Sequence, residues 1–114
     1  MPVGWNEAVS YALTLEGAEL SSHYGQPAVK ANGRAFLNTG HEPDTSFVLT
    51  LDTGLIDLLM ETNPATFWQT PHYAGHPAVL VRYDSPDPDL VREMIGRAHD
   101  RALALKPPRP RKAR

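Results

Sequence analysis

The chain has 114 residues with 41% hydrophobic and 21% charged content, which suits one modest core and argues against wholesale disorder. It lacks cysteine, which excludes disulfides, thiolate metal sites and thiol nucleophiles, and it lacks any apolar run long enough to span a membrane. The formal charge of −2 conceals an acidic body and a basic tail: five of the 11 basic groups follow residue 105, leaving 6 basic against 13 acidic groups, or −7, over residues 1–105.

The first residues, Met1 to Glu7, have neither the basic region nor the apolar centre of a signal peptide, so a cytoplasmic location is expected. Trp5, Ala8, Val9, Ala12 and Leu13 recur at helical spacing and predict a first helix, with Gly17 placed to end it. Residues Ser21 to Pro27 read as a polar connector. Asn32-Gly33 then signals a type I′ hairpin turn. A two-residue turn sets Ala31 opposite Arg34, Lys30 opposite Ala35, Val29 opposite Phe36 and Ala28 opposite Leu37.

Residues 40–45 read as a loop around Pro43 and Asp44. Ser46 to Leu51 alternates as a strand, with Phe47, Leu49 and Leu51 on one face. Asp52 is placed to cap a second helix buried through Leu55, Ile56, Leu58, Leu59 and Met60 and closed by Asn63-Pro64. Phe67 to Gln69 reads as a short extended piece, and Ala78 to Tyr83 as a strand buried partly on both faces. Asp87 and Pro88 open a third helix with an apolar stripe of Leu90, Val91, Met94, Ile95, Ala98, Ala102 and Leu105. These elements predict an α+β fold, an antiparallel sheet of two hairpins and a connecting strand packed by three helices. One domain is expected over residues 1–105. Three prolines and five basic groups make residues 106–114 a flexible tail.

Chemistry is sparse. His72 and His76 are four apart, a metal-ligand spacing on a helix, but Pro71, Gly75 and Pro77 interrupt the segment. No acid between Trp68 and Tyr83 completes a ligand set, so no metal or other cofactor is expected. Ser21, Ser22 and His23 are adjacent, but no nucleophile elbow, phosphate loop or dinucleotide fingerprint is present, and no enzyme is expected. Tyr24, Phe67, Trp68 and Tyr73 would stack on bases if exposed; Phe67 and Trp68 read as core, and Tyr73 as the one to be exposed. Five tail charges paired with duplex DNA would give log K a salt slope of about −4.5.

Residues Ser22 to Lys30, then Asn32-Gly33 and Phe36, then Thr70 to Val81, resemble the MmcQ/YjbR-like family, in the same order of elements over nearly all of residues 1–105. The resemblance implies a sheet backed by helices with two protruding hairpins, a double wing, and DNA as partner. The wings would be residues 28–37, with Lys30, Asn32 and Arg34 near the tip, and residues 69–80, with His72, Tyr73 and His76. Many relatives carry Asn-Lys at the second turn and a Trp three residues on, where this chain has Ala74-Gly75 and Ala78.

Two functions follow as expectations. The first is a non-catalytic, weakly sequence-selective DNA-binding protein that grips phosphates through the wings and through Lys106, Arg109, Arg111, Lys112 and Arg114. The second is a small-molecule or protein-binding module with a cleft between the hairpins, lined by Trp68, His72, Tyr73 and His76. The two differ in whether these side chains converge on a concavity or splay outward beside Lys30 and Arg34. Nothing in the sequence sets an oligomeric state, and a monomer is the expected form.

Overall fold

The computed structural model describes residues 3–23, 26–40 and 44–105, and among them are three helices and six strands in the order α-β-β-β-β-α-β-β-α. The helices are α1 (Trp5–Ala12), α2 (Thr53–Thr62) and α3 (Pro88–Ala104). The strands are β1 (Glu19–His23), β2 (Gln26–Ala31), β3 (Arg34–Thr39), β4 (Ser46–Thr50), β5 (Phe67–Trp68) and β6 (Ala78–Arg82). All neighbours pair antiparallel, in the order β1-β2-β3-β4-β6-β5. The fold is α+β, a single sheet with three helices.

Local chemistry accounts for the helix ends. The Gly4 amide donates to the Glu7 side chain at 3.1 Å, satisfying a donor at the start of α1. Gly17 adopts φ +75° and completes the turn after α1, although the helix itself stops at Ala12. Asp87 accepts from the Leu90 amide at 3.1 Å, and Pro88 takes the first turn of α3. Asp52 occupies the cap position of α2 without a capping bond; its carboxylate instead accepts from Arg101 Nε at 2.8 Å and ties α2 to α3. Among the described residues no helix is long and apolar enough to cross a membrane.

Alternation then sorts the sheet into two faces. Leu37, Leu49 and Val79 lie in register across β3, β4 and β6, and Phe47, Val81 and Phe67 across β4, β6 and β5. These six side chains join Val91, Ile95 and Ala98 of α3 and Ala8 and Ala12 of α1 in one core. Each large apolar side chain so buried contributes roughly 1.5–3 kcal/mol. Leu58 and Leu13 depart from the expected stripes, at 53% and 41% exposed: Leu58 lies two positions on from buried Ile56, on the other side of α2, and Leu13 lies just past the end of α1.

The first hairpin forms with its expected turn: Asn32 (φ 56°) and Gly33 (φ 76°) both adopt the left-handed conformation a type I′ turn requires. Its register holds for Ala31 with Arg34 and Lys30 with Ala35, then shifts so that Val29 pairs with Leu37 and Ala28 with Asn38. Phe36 is the extra residue of this bulge. The gain is burial: consecutive Phe36 and Leu37, 1% and 0% exposed, both enter the core, which a regular strand would forbid.

The supposed polar connector contains strand β1, so β2 is an inner strand with partners on both sides rather than one arm of a free ribbon. The Asn32 side chain donates from Nδ2 to the Ala102 carbonyl at 3.1 Å and the Leu105 carbonyl at 2.8 Å. The hairpin tip is thereby docked on the C-terminus of α3. The second expected wing is no ribbon either. Pairing in β5–β6 ends at Trp68 and Leu80, and the intervening chain is a series of turns.

Candidate binding cleft

Residues on the face away from the helices form a row across five strands: Ala28, Asn38, Val48, Leu80 and Trp68 are successive register partners. Ser46 with Arg82, and Thr50 with Ala78, extend this outer face to either side. Val48 and Leu80 are buried although they point away from the helices, so something covers them. Over Leu80 lies the neighbourhood of Trp68, whose Nε1 donates to Ser46 Oγ at 3.1 Å and whose ring carries the Arg82 guanidinium at 4.7 Å. Over Val48 lies Tyr73.

Tyr73 reaches that place because residues 69–77 fold back onto the sheet. Gln69 staples the connection from within, donating from Nε2 to the Ala78 carbonyl at 2.8 Å and the Tyr73 carbonyl at 3.2 Å. The Tyr73 amide bonds to Thr70 O and the His76 amide to Tyr73 O, each at 2.9 Å, and Gly75 at φ +82° closes the turn. A side chain at Gly40 would collide with the Tyr73 hydroxyl and stand 2.6 Å from Val48 Cγ2, so glycine admits the tyrosine here. His72 meets the Tyr73 ring edge-on, with centroids 5.0 Å apart.

Between this connection and the sheet lies a cleft of about 650 Å³, within the usual range for small-molecule sites. Asn38, Val48, Thr50 and Ala78 form its floor; His72, Tyr73 and His76 form a wall; Gln26, Thr39 and Gly40 close the far side. Thr39 Oγ1 donates to Gln26 Oε1 at 3.1 Å, and Asn38 Nδ2 to the Thr39 carbonyl at 2.7 Å. The Gln26 amide nitrogen, the Thr50 hydroxyl and the His76 ring have no bonded partner among the described residues. The described lining offers no carboxylate, ammonium or guanidinium. No three metal-ligating side chains cluster among the described residues.

The residues singled out in the sequence therefore divide. His72, Tyr73 and His76 are brought together on the cleft wall, with Tyr73 half-buried rather than exposed. Lys30 is half-buried on β2, opposite Glu19 and Ala35. Asn32 is committed to the end of α3, and Arg34 sits in a small crevice with Phe36, Ala98 and Arg101. Phe67 is core, and Trp68 lies outside the cleft. Lys106, Arg109, Arg111, Lys112 and Arg114, with Tyr24, lie outside the described residues. Gln26, Asn38 and Thr50 were missed. Their signal was present, since alternation puts Val48 and Thr50 opposite Phe47 and Leu49; what covers that face was not encoded in any local pattern.

Comparison with known proteins gives distant relatives. Three uncharacterised mycobacterial proteins, one from Mycobacterium bovis and two from Mycobacterium tuberculosis strains, are each 30% identical over 76 residues. The match covers 64% of this chain and 59% of each relative's length. No protein-family model matches the chain, and no solved structure does.

Proposed function

We propose that this protein is a small-molecule-binding module whose site is the cleft between the β5–β6 connection and the outer face of the sheet. The carrying observation is convergence: His72, Tyr73 and His76 line one concavity with Asn38, Val48 and Thr50 instead of splaying outward beside Lys30 and Arg34. The composition supports the same reading. Apolar Val48 and Ala78 beside polar Asn38 and Thr50 give the floor both apolar surface and groups that can orient a ligand, the mix by which small-molecule sites gain affinity and specificity. No catalytic step is assigned to these residues.

DNA binding is the competing reading, resting on Lys30, Arg34 and the basic tail. An acidic body of −7 over residues 1–105 works against it. Amide-resolved NMR titration of the full chain separates the two. A panel of polar fragments should shift Asn38, Thr50, Ala78 and residues 72–76, and Thr50→Trp, which fills the floor, should abolish those shifts. Fragments that leave these amides unmoved would overturn the proposal. Duplex DNA at low salt that shifts Lys30 and Arg34 instead would establish the competitor.

A further inference from the structure

We propose that strand β1 is an interface, at which a second copy of this chain pairs antiparallel about a two-fold axis and joins the two sheets edge to edge. Behind it lies a core row that runs off the covered part of the sheet. Leu20, Val29, Leu37, Leu49 and Val79 are successive register partners across β1, β2, β3, β4 and β6. The last four are buried on the helix side, whereas Leu20 is 63% exposed. Three of the four large apolar side chains exposed among the described residues gather around the segment that leads into β1. Leu13 and Leu20 flank Glu16 in the chain, and Leu103 lies one turn beyond His99, whose ring meets the Glu16 carbonyl.

The two edges of the sheet differ. Strand β5 is two residues long and is followed by turns, so it offers an incoming strand little to pair with. Strand β1 runs for five residues in unbroken register with β2, without proline or bulge, which keeps its outward amides and carbonyls in the regular order that another strand needs. Its one acid, Glu19, lies opposite Lys30 of β2 and so has a counter-charge within the chain. Self-complementarity names the occupant. In a two-fold pair centred on Leu20, that leucine faces its own copy, Glu19 faces Ser21 and Ala18 faces Ser22. No like charges are opposed, the Ser21 hydroxyl can donate to the Glu19 carboxylate across the axis, and two exposed leucines cover each other. Centring on Glu19 would oppose two carboxylates, and centring on Ser21 would set each leucine against a serine. One short strand from each chain makes a small interface, so the dimer is weak and forms at high concentration. No residue of the cleft takes part, and the pairing stands apart from the ligand-binding reading.

Sedimentation equilibrium of the full chain between about 10 µM and about 1 mM tests this. The mass should begin at the 12.6 kDa of one chain and rise at least ~1.5-fold over that range. Leu20→Lys, which opposes two ammonium groups on the axis, should hold the mass at one chain throughout. Leu58→Lys, a matched change at an exposed leucine of α2, should leave the rise intact. A mass that stays at one chain at every concentration would overturn the proposal, as would a rise that survives Leu20→Lys. The register has its own test, because the chain contains no cysteine. Leu20→Cys, on the axis, should oxidise to a covalent dimer roughly tenfold or more faster than Ser22→Cys, whose two sulfurs would stand about 13 Å apart. Equal rates for the two would overturn the pairing centred on Leu20.

Discussion

Asn32 and Leu105 stand 73 positions apart, yet the Asn32 side-chain amide donates to the Leu105 carbonyl at 2.8 Å and to the Ala102 carbonyl at 3.1 Å. One residue thus does two jobs. It supplies the left-handed φ of 56° that the hairpin turn needs, and it satisfies carbonyls left open where α3 ends.

Those jobs are separable by substitution. Asn32→Gly keeps the backbone conformation and loses both hydrogen bonds, so it should cost about 1–2 kcal/mol. Asn32→Ala adds the left-handed penalty of a Cβ and should cost about 1 kcal/mol more. Asn32→Asp tolerates the turn but sets a carboxylate against carbonyl oxygens at the negative pole of α3, and should exceed Asn32→Gly. Denaturant unfolding midpoints give the order; an Asn32→Gly variant as stable as the parent would mean that the side chain contributes nothing beyond the turn.

Tyr83 gives a prediction at alkaline pH. Burial, and secondarily the Asp44 carboxylate, push its phenol above the ordinary value of 10. The folded state therefore holds this proton more tightly than the unfolded chain. The associated stability is present below pH 10 and is lost as pH rises through the raised value. Phenolate absorbance of the native protein minus that of Tyr83→Phe should show a late titration. Asp44→Asn should bring it only part of the way back, because burial is the larger cause. A difference curve centred at the ordinary tyrosine value would contradict this.

Thr70 opens the cleft-forming connection with its Oγ1 buried and without a hydrogen-bond partner among the described residues. A buried hydroxyl without a partner is a net cost, so Thr70→Val, of similar shape, should be neutral or stabilising by up to ~1 kcal/mol. Thr70→Ala leaves a small cavity instead and should destabilise by about 1 kcal/mol. Thermal unfolding of the two variants decides it, and a Val variant less stable than Ala would show that the hydroxyl is satisfied in solution.

Periodicity and capping residues made most of the scaffold legible. The Asp87-Pro88 start of α3, the Asn32-Gly33 turn, and the buried Phe47-Leu49 face of β4 with Leu51 just beyond it all appear where local chemistry puts them. Strand β1 was hidden because Glu19, Ser21 and Ser22 are polar and lie at an edge, where a strand needs no apolar face to find its neighbour. His99 was hidden for the opposite reason: a polar residue on the buried side of α3, tolerated because its ring meets Phe36 edge-on and the Glu16 carbonyl. The site was half legible. The sequence marked His72, Tyr73 and His76 as unusual, but that their segment folds inward over β3 and β4 depends on Gly40, thirty-three residues away from Tyr73.

That dependence is itself testable. Gly40→Ala places a methyl carbon against the Tyr73 hydroxyl and 2.6 Å from Val48 Cγ2, and overpacking of this kind costs roughly 1–3 kcal/mol. Tyr73→Phe removes the clashing oxygen and leaves the ring carbon Cζ at 3.5 Å, an ordinary contact. In the double variant the clash with Tyr73 is gone and that with Val48 remains, so rescue should be partial, with a coupling of about 0.5–1 kcal/mol between the two sites. Strict additivity in unfolding free energy would mean that Tyr73 does not rest on Gly40. The same cycle followed by amide shifts reports on the cleft: Gly40→Ala alone should displace residues 72–76 and weaken fragment binding. Gly40→Ala with Tyr73→Phe should restore both in part, because the wall of the site is held by the same contact that the methyl group breaks.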